Sequence, residues 1–242
     1  TLLAKWTITD KPTLQFGSGL SVEYPSVNVT AECDGFLLDQ TVYTQDMLAK
    51  WSMDECRAIN SLEDVAEDPE PEQEPDPRDV HQAQRLAGGL NWLSTRTRPD
   101  ISFTVSQLSS AATRAPLRAT ALGKRVLRYL AGTRDFGIRM VDNGAHRAVR
   151  RGSPAAPILE AYGDASYEVG YAQTGVVIKY CGMFVMWKSS KQPQVPRSTA
   201  ESECTAMAHA SQYLEGVACL LRTLRLSIGV PSLYCDNRAA VH

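Results

Sequence analysis

Apolar residues recur through STAESECTAMAHASQYLEGVACLLRTL at Met207, Ala210, Leu214, Val217, Leu221 and Leu224, in alternating steps of three and four. A helix with such a one-sided stripe needs a flat apolar partner, and a sheet is the partner it fits. The residues around it alternate in strand fashion. Strands are expected near 158–168, 173–181 and 183–189, the first two split by Glu168-Val169-Gly170 and the next two by Gly182. A further strand is expected at 232–236, after the helix. Three strands with tight connections make an antiparallel meander, and a strand that returns after a helix pairs parallel with the first. The expected fold class is therefore α/β (mixed α+β), a mixed sheet with packed helices.

Glu203 extends the stripe one turn toward the N-terminus, so its carboxyl points to the sheet. Glu201 is about 200° around the helix at roughly 100° per residue and faces away. It has a local role instead: Ser198-Thr199-Ala200-Glu201 fits a capping box in which Glu201 reaches back to the Ser198 N–H. Asp164 interrupts the run ILEAYGDASYE, and Asp236 closes SLYC. In a parallel crossover, ligands gather at the carboxyl ends of adjacent strands. Three carboxylates brought there from two strands and a helix repel one another unless cations lie between them. Oxygen-only ligands favour Mg²⁺ or Mn²⁺ over zinc, and two such ions serve phosphodiester hydrolysis. Asp164, Glu203 and Asp236 are thus expected within roughly 4–8 Å of each other.

Charge organises the rest of the chain. Residues 63–79 hold nine acids and four prolines against Arg78 alone. Such a run repels itself and buries no core, so an extended linker is expected there. Before it, LQFGSGLSVEYP and GFLLDQ read as strand-like pieces, followed by a helix from about 43 to 51. After it, helices are expected at 79–94, 100–112 and 116–131, with Pro99 marking the start of the second, and FGIRMV as a strand. Residues 114–151 carry ten Arg or Lys against two Asp. In a helix over 117–130, Leu122, Val126, Leu127, Tyr129 and Leu130 fall on one side. Arg118, Lys124, Arg125 and Arg128 fall on the other, a segregated basic face suited to phosphate backbones. The Gly- and Pro-containing stretch 142–156 reads as a flexible connector. The expected division is 1–62, linker 63–79, helical region 80–141, connector 142–156 and a sheet domain over 157–242.

Several function classes drop out. No stretch approaches the roughly 20 apolar residues of a membrane span, so no membrane partner is expected. The six cysteines show no CxxC pair and read as reduced thiols rather than a disulfide framework or zinc site. No Ser-His-Asp set or phosphate loop is visible. A start at Thr1 and a stop soon after the last expected strand read as a piece of a longer polyprotein.

The stretch from YGDAS through WKSSKQPQVPRSTAESECTAM to LYCDNRAAVH resembles the ribonuclease H domain of copia-type LTR retrotransposon polyproteins. FLLDQTVYTQDMLAKWSM, LNWLSTRTRPDISFTVSQLS and KRVLRYLAGTRDFGIRM resemble the mainly helical tail of the reverse transcriptase in the same polyproteins. The resemblance implies an RNase H-like fold in which Asp164, Glu203 and Asp236 bind two Mg²⁺ (or Mn²⁺) ions. It implies cleavage of the RNA strand of RNA–DNA hybrids, with the remainder of the polyprotein as partner. It also implies a cytoplasmic location or one within virus-like particles, with nuclear access for the element. Lys188, Lys191 and Arg197 are expected to hold phosphates, and Ser166 and Asn237 to lie against the minor groove, where 2′-hydroxyls identify RNA. Two departures stand out. The family's further carboxylate, beyond a second helix, has no counterpart before His242, and no Asp-Asp dipeptide of the polymerase occurs. A truncated, non-catalytic module that binds nucleic acid or packs on the polymerase is the alternative.

Overall fold

The computed structural model describes residues 12–62, 74–141, 159–168, 171–226 and 228–236. The first part contains β1 (Ser21–Tyr24), β2 (Val27–Ala31), β3 (Gly35–Asp39) and α1 (Thr41–Lys50). It continues with α2 (Pro77–Arg96), a 3₁₀ turn (Pro99–Ile101), α3 (Ser102–Ala111), α4 (Pro116–Gly132) and β4 (Gly137–Val141). The second part holds β5 (Leu159–Glu168), β6 (Tyr171–Tyr180), β7 (Met183–Lys191), α5 (Thr199–Thr223) and β8 (Ser232–Tyr234).

Helices carry the core of the first part, as expected, but a four-stranded antiparallel sheet in the order β1-β2-β3-β4 lies beside them. Strand β2 is not evident from its residues, because VNVTA shows only partial burial along its length. It is specified by the turn: Pro25 precedes Ser26 at φ 57, the Pro-then-positive-φ pattern of a tight hairpin, with Tyr24 opposite Val27. Strand β4 pairs with β3, and Met47 and Leu48 of α1 join the apolar cluster of α2, α3 and α4. Residues 12–62 and 80–141, set apart by the acidic run, therefore contribute to one sheet and one core. Part of that run enters the fold: Asp76 caps α2 by accepting from the Arg78 N–H at 2.8 Å, and Pro77 opens the helix. Residues 63–73 and the connector lie outside the described residues.

Arg98 is 2% exposed in this core. Its guanidinium donates to Asp100 at 2.7–3.3 Å and to the Thr133 carbonyl and hydroxyl, each at 2.7 Å. It also lies over the rings of Tyr129 and Phe136. A buried cation of this kind is tolerated because its donors are met.

The second part has the expected topology. The sheet order is β7-β6-β5-β8, with β5-β6-β7 antiparallel and β8 parallel to β5. Cys181 and Gly182, at φ 53 and 81, form the two-residue turn between β6 and β7. Helix α5 packs on one face of this sheet. Its buried stripe runs through Ala206, Ala210, Leu214, Ala218 and Leu221, whereas Leu224 is 59% exposed beyond the helix end. The expectation thus misplaces the stripe at both ends, because small alanines rather than Met207 and Leu224 set the close approach. A Cβ at Gly163 would stand 3.0 Å from the Ala210 Cβ, so the helix rests on a glycine of β5. The expected strand at 232–236 is shorter, ending at Tyr234.

The opposite face of this sheet meets the helices of the first part. The Trp187 indole N–H donates to the Ser94 carbonyl at 2.6 Å, and Gln173 donates to the Ser106 hydroxyl at 2.9 Å. Among the described residues no helix is long and apolar enough to cross a membrane.

Candidate active site

Strand β8 pairs with β5 only opposite Glu160, Ala161 and Tyr162. Past Tyr162, that edge of β5 has no strand partner among the described residues. Gly163 faces α5, so Asp164, the next residue on an alternating strand, faces the other side. There it lines a crevice of about 310 Å³ together with Tyr162, Phe103 and Trp187. Glu203 comes from the α5 side and Asp236 from just beyond β8. Glu203 and Asp236 come together where the edge strand stops short, and Asp164 acts on Glu203 through its charge.

Glu203 is only 8% exposed. Burial pushes its carboxyl above the ordinary 4.5, and the charges of Asp164 and Asp236 push it further in the same direction. The Ala165 N–H, on the uncovered edge of β5, donates to it and offsets part of that rise. Ligand atoms of Glu203, Cys235 and Asp236 all lie within 4.8 Å of one another, with Cys235 Sγ 4.0 Å from Glu203 Oε2. Asp164 is exposed, and its charge reaches Glu203. Among the described residues, no Lys or Arg forms a salt bridge with any of the three acids. Clustered, uncompensated carboxylate oxygens suit a hard divalent cation such as Mg²⁺ or Mn²⁺. The Cys235 sulfur is too soft for that role and lies beside the oxygens as a neighbour.

The helix phase separates the two glutamates as expected: Glu203 is buried and Glu201 exposed. Ser198 caps α5 by accepting from the Glu201 N–H at 3.2 Å. The return bond differs by one residue, since the Glu201 carboxylate accepts from the Arg197 N–H at 2.6 Å rather than from Ser198.

The cations expected to hold phosphates have other engagements. Lys188 donates to the Tyr213 hydroxyl at 2.7 Å and lies over that ring, which fastens it to α5. Lys191 stands over the Tyr171 ring at 5.0 Å. Arg197 is exposed, and so is Ser166, which follows Asp164 on the same face of β5. Asn237 lies outside the described residues. On α4, Arg118 and Lys124 are exposed, whereas Arg125 and Arg128 are half-buried. Arg128 donates to the Arg57 carbonyl at 2.9 Å, so it secures the chain that follows α1. No described contact links any of these residues to the three acids.

One anchor of the site leaves no local trace in the sequence. Gln192, 6% exposed, donates to the Thr174 hydroxyl and to the Ser202 carbonyl, both at 2.9 Å. It ties the residue before Glu203 to β6. Its partners are 18 and 10 residues away, and no period or motif announces such a pairing. Gln192→Leu is expected to cost about 1–3 kcal/mol, since the buried Ser202 carbonyl and Thr174 hydroxyl lose their donor. Chemical denaturation measures the loss. Hydrogen exchange should show faster opening of the first turns of α5; unchanged exchange there would mean that Gln192 does not position Glu203.

A polyprotein from transposon RE2 of Arabidopsis thaliana, described as a retrovirus-related Pol polyprotein, is 32% identical over 86% of this chain. The corresponding Pol polyprotein from transposon RE1 of the same plant is 31% identical over the same share. The chain spans 14% of the length of each. A protein named secreted RxLR effector protein 161, from Plasmopara viticola, is 34% identical over 57% of the chain and 91% of its own length. No family model matches the chain. No solved structure matches it either. The similarity to the two plant polyproteins covers 86% of the chain, and the chain belongs to the copia-type, retrovirus-related Pol polyproteins of retrotransposons.

Proposed function

We propose that this segment of the polyprotein is a ribonuclease H that cuts the RNA strand of RNA–DNA hybrids with two Mg²⁺ or Mn²⁺ ions. The observation that carries the reading is the convergence of Glu203 and Asp236, under the charge of Asp164, on the uncovered edge of β5. When bound, paired divalent ions supply an activated water and stabilise the leaving 3′ oxygen of a phosphodiester. The chain's own contribution is placement. The Ala165 N–H and the Gln192 anchor fix Glu203, whose charge is hard to sustain without a cation. Asp164 opens into the crevice between the sheet and α3, so the hybrid approaches from that side, where Ser166 follows on the same face. Arg118 and Lys124 on α4 and Arg197 before α5 are exposed to solvent, whereas Lys188 and Arg128 are engaged within the fold.

The engagement of Lys188 with Tyr213 and of Arg128 with Arg57 favours a second reading, a non-catalytic module that packs against the rest of the polymerase. A labelled RNA–DNA hybrid, incubated with Mg²⁺ or Mn²⁺ and either this chain or the polyprotein that contains it, separates the two. Metal-dependent cuts in the RNA strand are expected. Hybrid binding without cleavage in both proteins would leave the packing module.

A further inference from the structure

On the far side of the first part, α1 ends at Lys50 and the chain turns through Trp51 and Ser52, the latter in the left-handed region at φ 54. This turn faces α2 across an open concavity of about 410 Å³. Its lining is Lys50, Trp51, Ser52, Arg78, His81, Gln82 and Arg85. Among the described residues, the lining has three cations and an imidazole and no acid. Among the described residues, none of these four side chains takes part in a salt bridge. Arg78, His81, Gln82 and Arg85 are exposed and follow steps of three, one and three along α2, so they occupy one face. From Arg78 to Arg85 the helix rises about 10.5 Å at 1.5 Å per residue.

We infer that this concavity is a binding site for the sugar-phosphate backbone of a nucleic-acid strand, separate from the carboxylate edge and from the basic face of α4. The two arginines offer planar donor forks to successive phosphate oxygens, and Lys50 closes the opposite wall with a compact charge. The Trp51 indole, half-buried at the floor, gives a base a surface to stack on. An acidic peptide has the charge but neither the regular phosphate spacing nor the bases. The site does not depend on catalysis at Glu203.

The test uses the whole chain carrying Glu203→Gln in metal-free buffer, so that binding is read without cleavage. A fluorescein-labelled single-stranded oligonucleotide is titrated at several salt concentrations. Replacing Lys50, Arg78 and Arg85 together by Gln should flatten the slope of log affinity against log salt by about 2, at 0.7 per single-strand phosphate contact. The three side chains are exposed, so thermal melting should be unchanged. A second variant, Trp51→Phe, should remove part of the tryptophan quenching on binding without altering charge. Inorganic triphosphate and poly-glutamate of matched charge should compete weakly. An unchanged slope in the triple variant overturns the site. Competition by poly-glutamate equal to that of the oligonucleotide overturns its assignment to nucleic acid, and equal competition by triphosphate assigns it to a free polyphosphate.

Discussion

Glu203→Gln is expected to lower metal-dependent cleavage of an RNA–DNA hybrid by about 10³-fold, the rate equivalent of about 4 kcal/mol of lost metal-mediated charge stabilisation. The same substitution should make the metal-free protein more stable. Burial raises the carboxyl of Glu203 above 4.5 in the folded chain, and Asp164 and Asp236 raise it further. The folded state therefore holds the Glu203 proton more tightly than the unfolded state does. For an acid shifted upward, stability falls as pH rises from the unfolded value near 4.5 through the higher folded one. Above the unfolded value the carboxyl of Glu203 works against the fold, and Gln relieves that cost. Added Mg²⁺ should reverse the order, stabilising the parent more than the variant. Glu201→Gln is the control. It keeps the cap on α5, so activity should persist and stability should change by less than about 1 kcal/mol. Melting curves with and without Mg²⁺, beside a cleavage assay, read all of this. Equal loss of cleavage in the two variants would show that the first turn of α5 does not sort them by face.

The largest effect on stability is expected at Arg98. Arg98→Ala removes the charge partner of Asp100 and the donors to both oxygens of Thr133, all beside a 2% exposed position. Asp100 reaches solvent, so the cost falls on the vacated buried position and on the two Thr133 oxygens left without a donor, about 2–4 kcal/mol together. Against a typical total of about 5–15 kcal/mol, that is enough to unfold the helical core at moderate urea. Arg98→Lys should recover little, because one ammonium cannot reproduce a planar fork that serves Asp100 and Thr133 together. Urea denaturation of the three proteins gives the comparison. A cost under about 1 kcal/mol for Arg98→Ala would mean that water substitutes for the network.

Much of the second part is legible in the residues themselves. The meander, the parallel return of β8 and the inward phase of Glu203 follow from periods of two and of about 3.6, which the backbone imposes over a few residues. Hairpin signals act over the same short range, as at Cys181-Gly182. The capping of α5 by Ser198 is equally local. Where the reading slips, the deciding contact is remote in sequence. Ala206 takes the place of Met207 on the buried stripe because Gly163 of β5 lets α5 come close, Ala218 takes that of Val217, and Leu224 lies beyond the helix end. Strand β4 finds β3 across the acidic run, and Arg128 turns from the basic face to the Arg57 carbonyl.

The candidate site divides in the same way. That Asp236 closes one strand, Asp164 sits midway along its neighbour and Glu203 lies one turn into the helix can be derived from the order of strands and helix. That Asp164 opens onto the opposite face of the sheet, and meets the others' field only because β8 ends at Tyr234, depends on the assembled sheet. The Gln192 anchor and the concavity between α1 and α2 are likewise properties of the packed chain. Periodicity records which way a side chain points from its own backbone. Which group it meets depends on closing loops of tens of residues and burying the surfaces between them, and that balance is struck only in the whole fold.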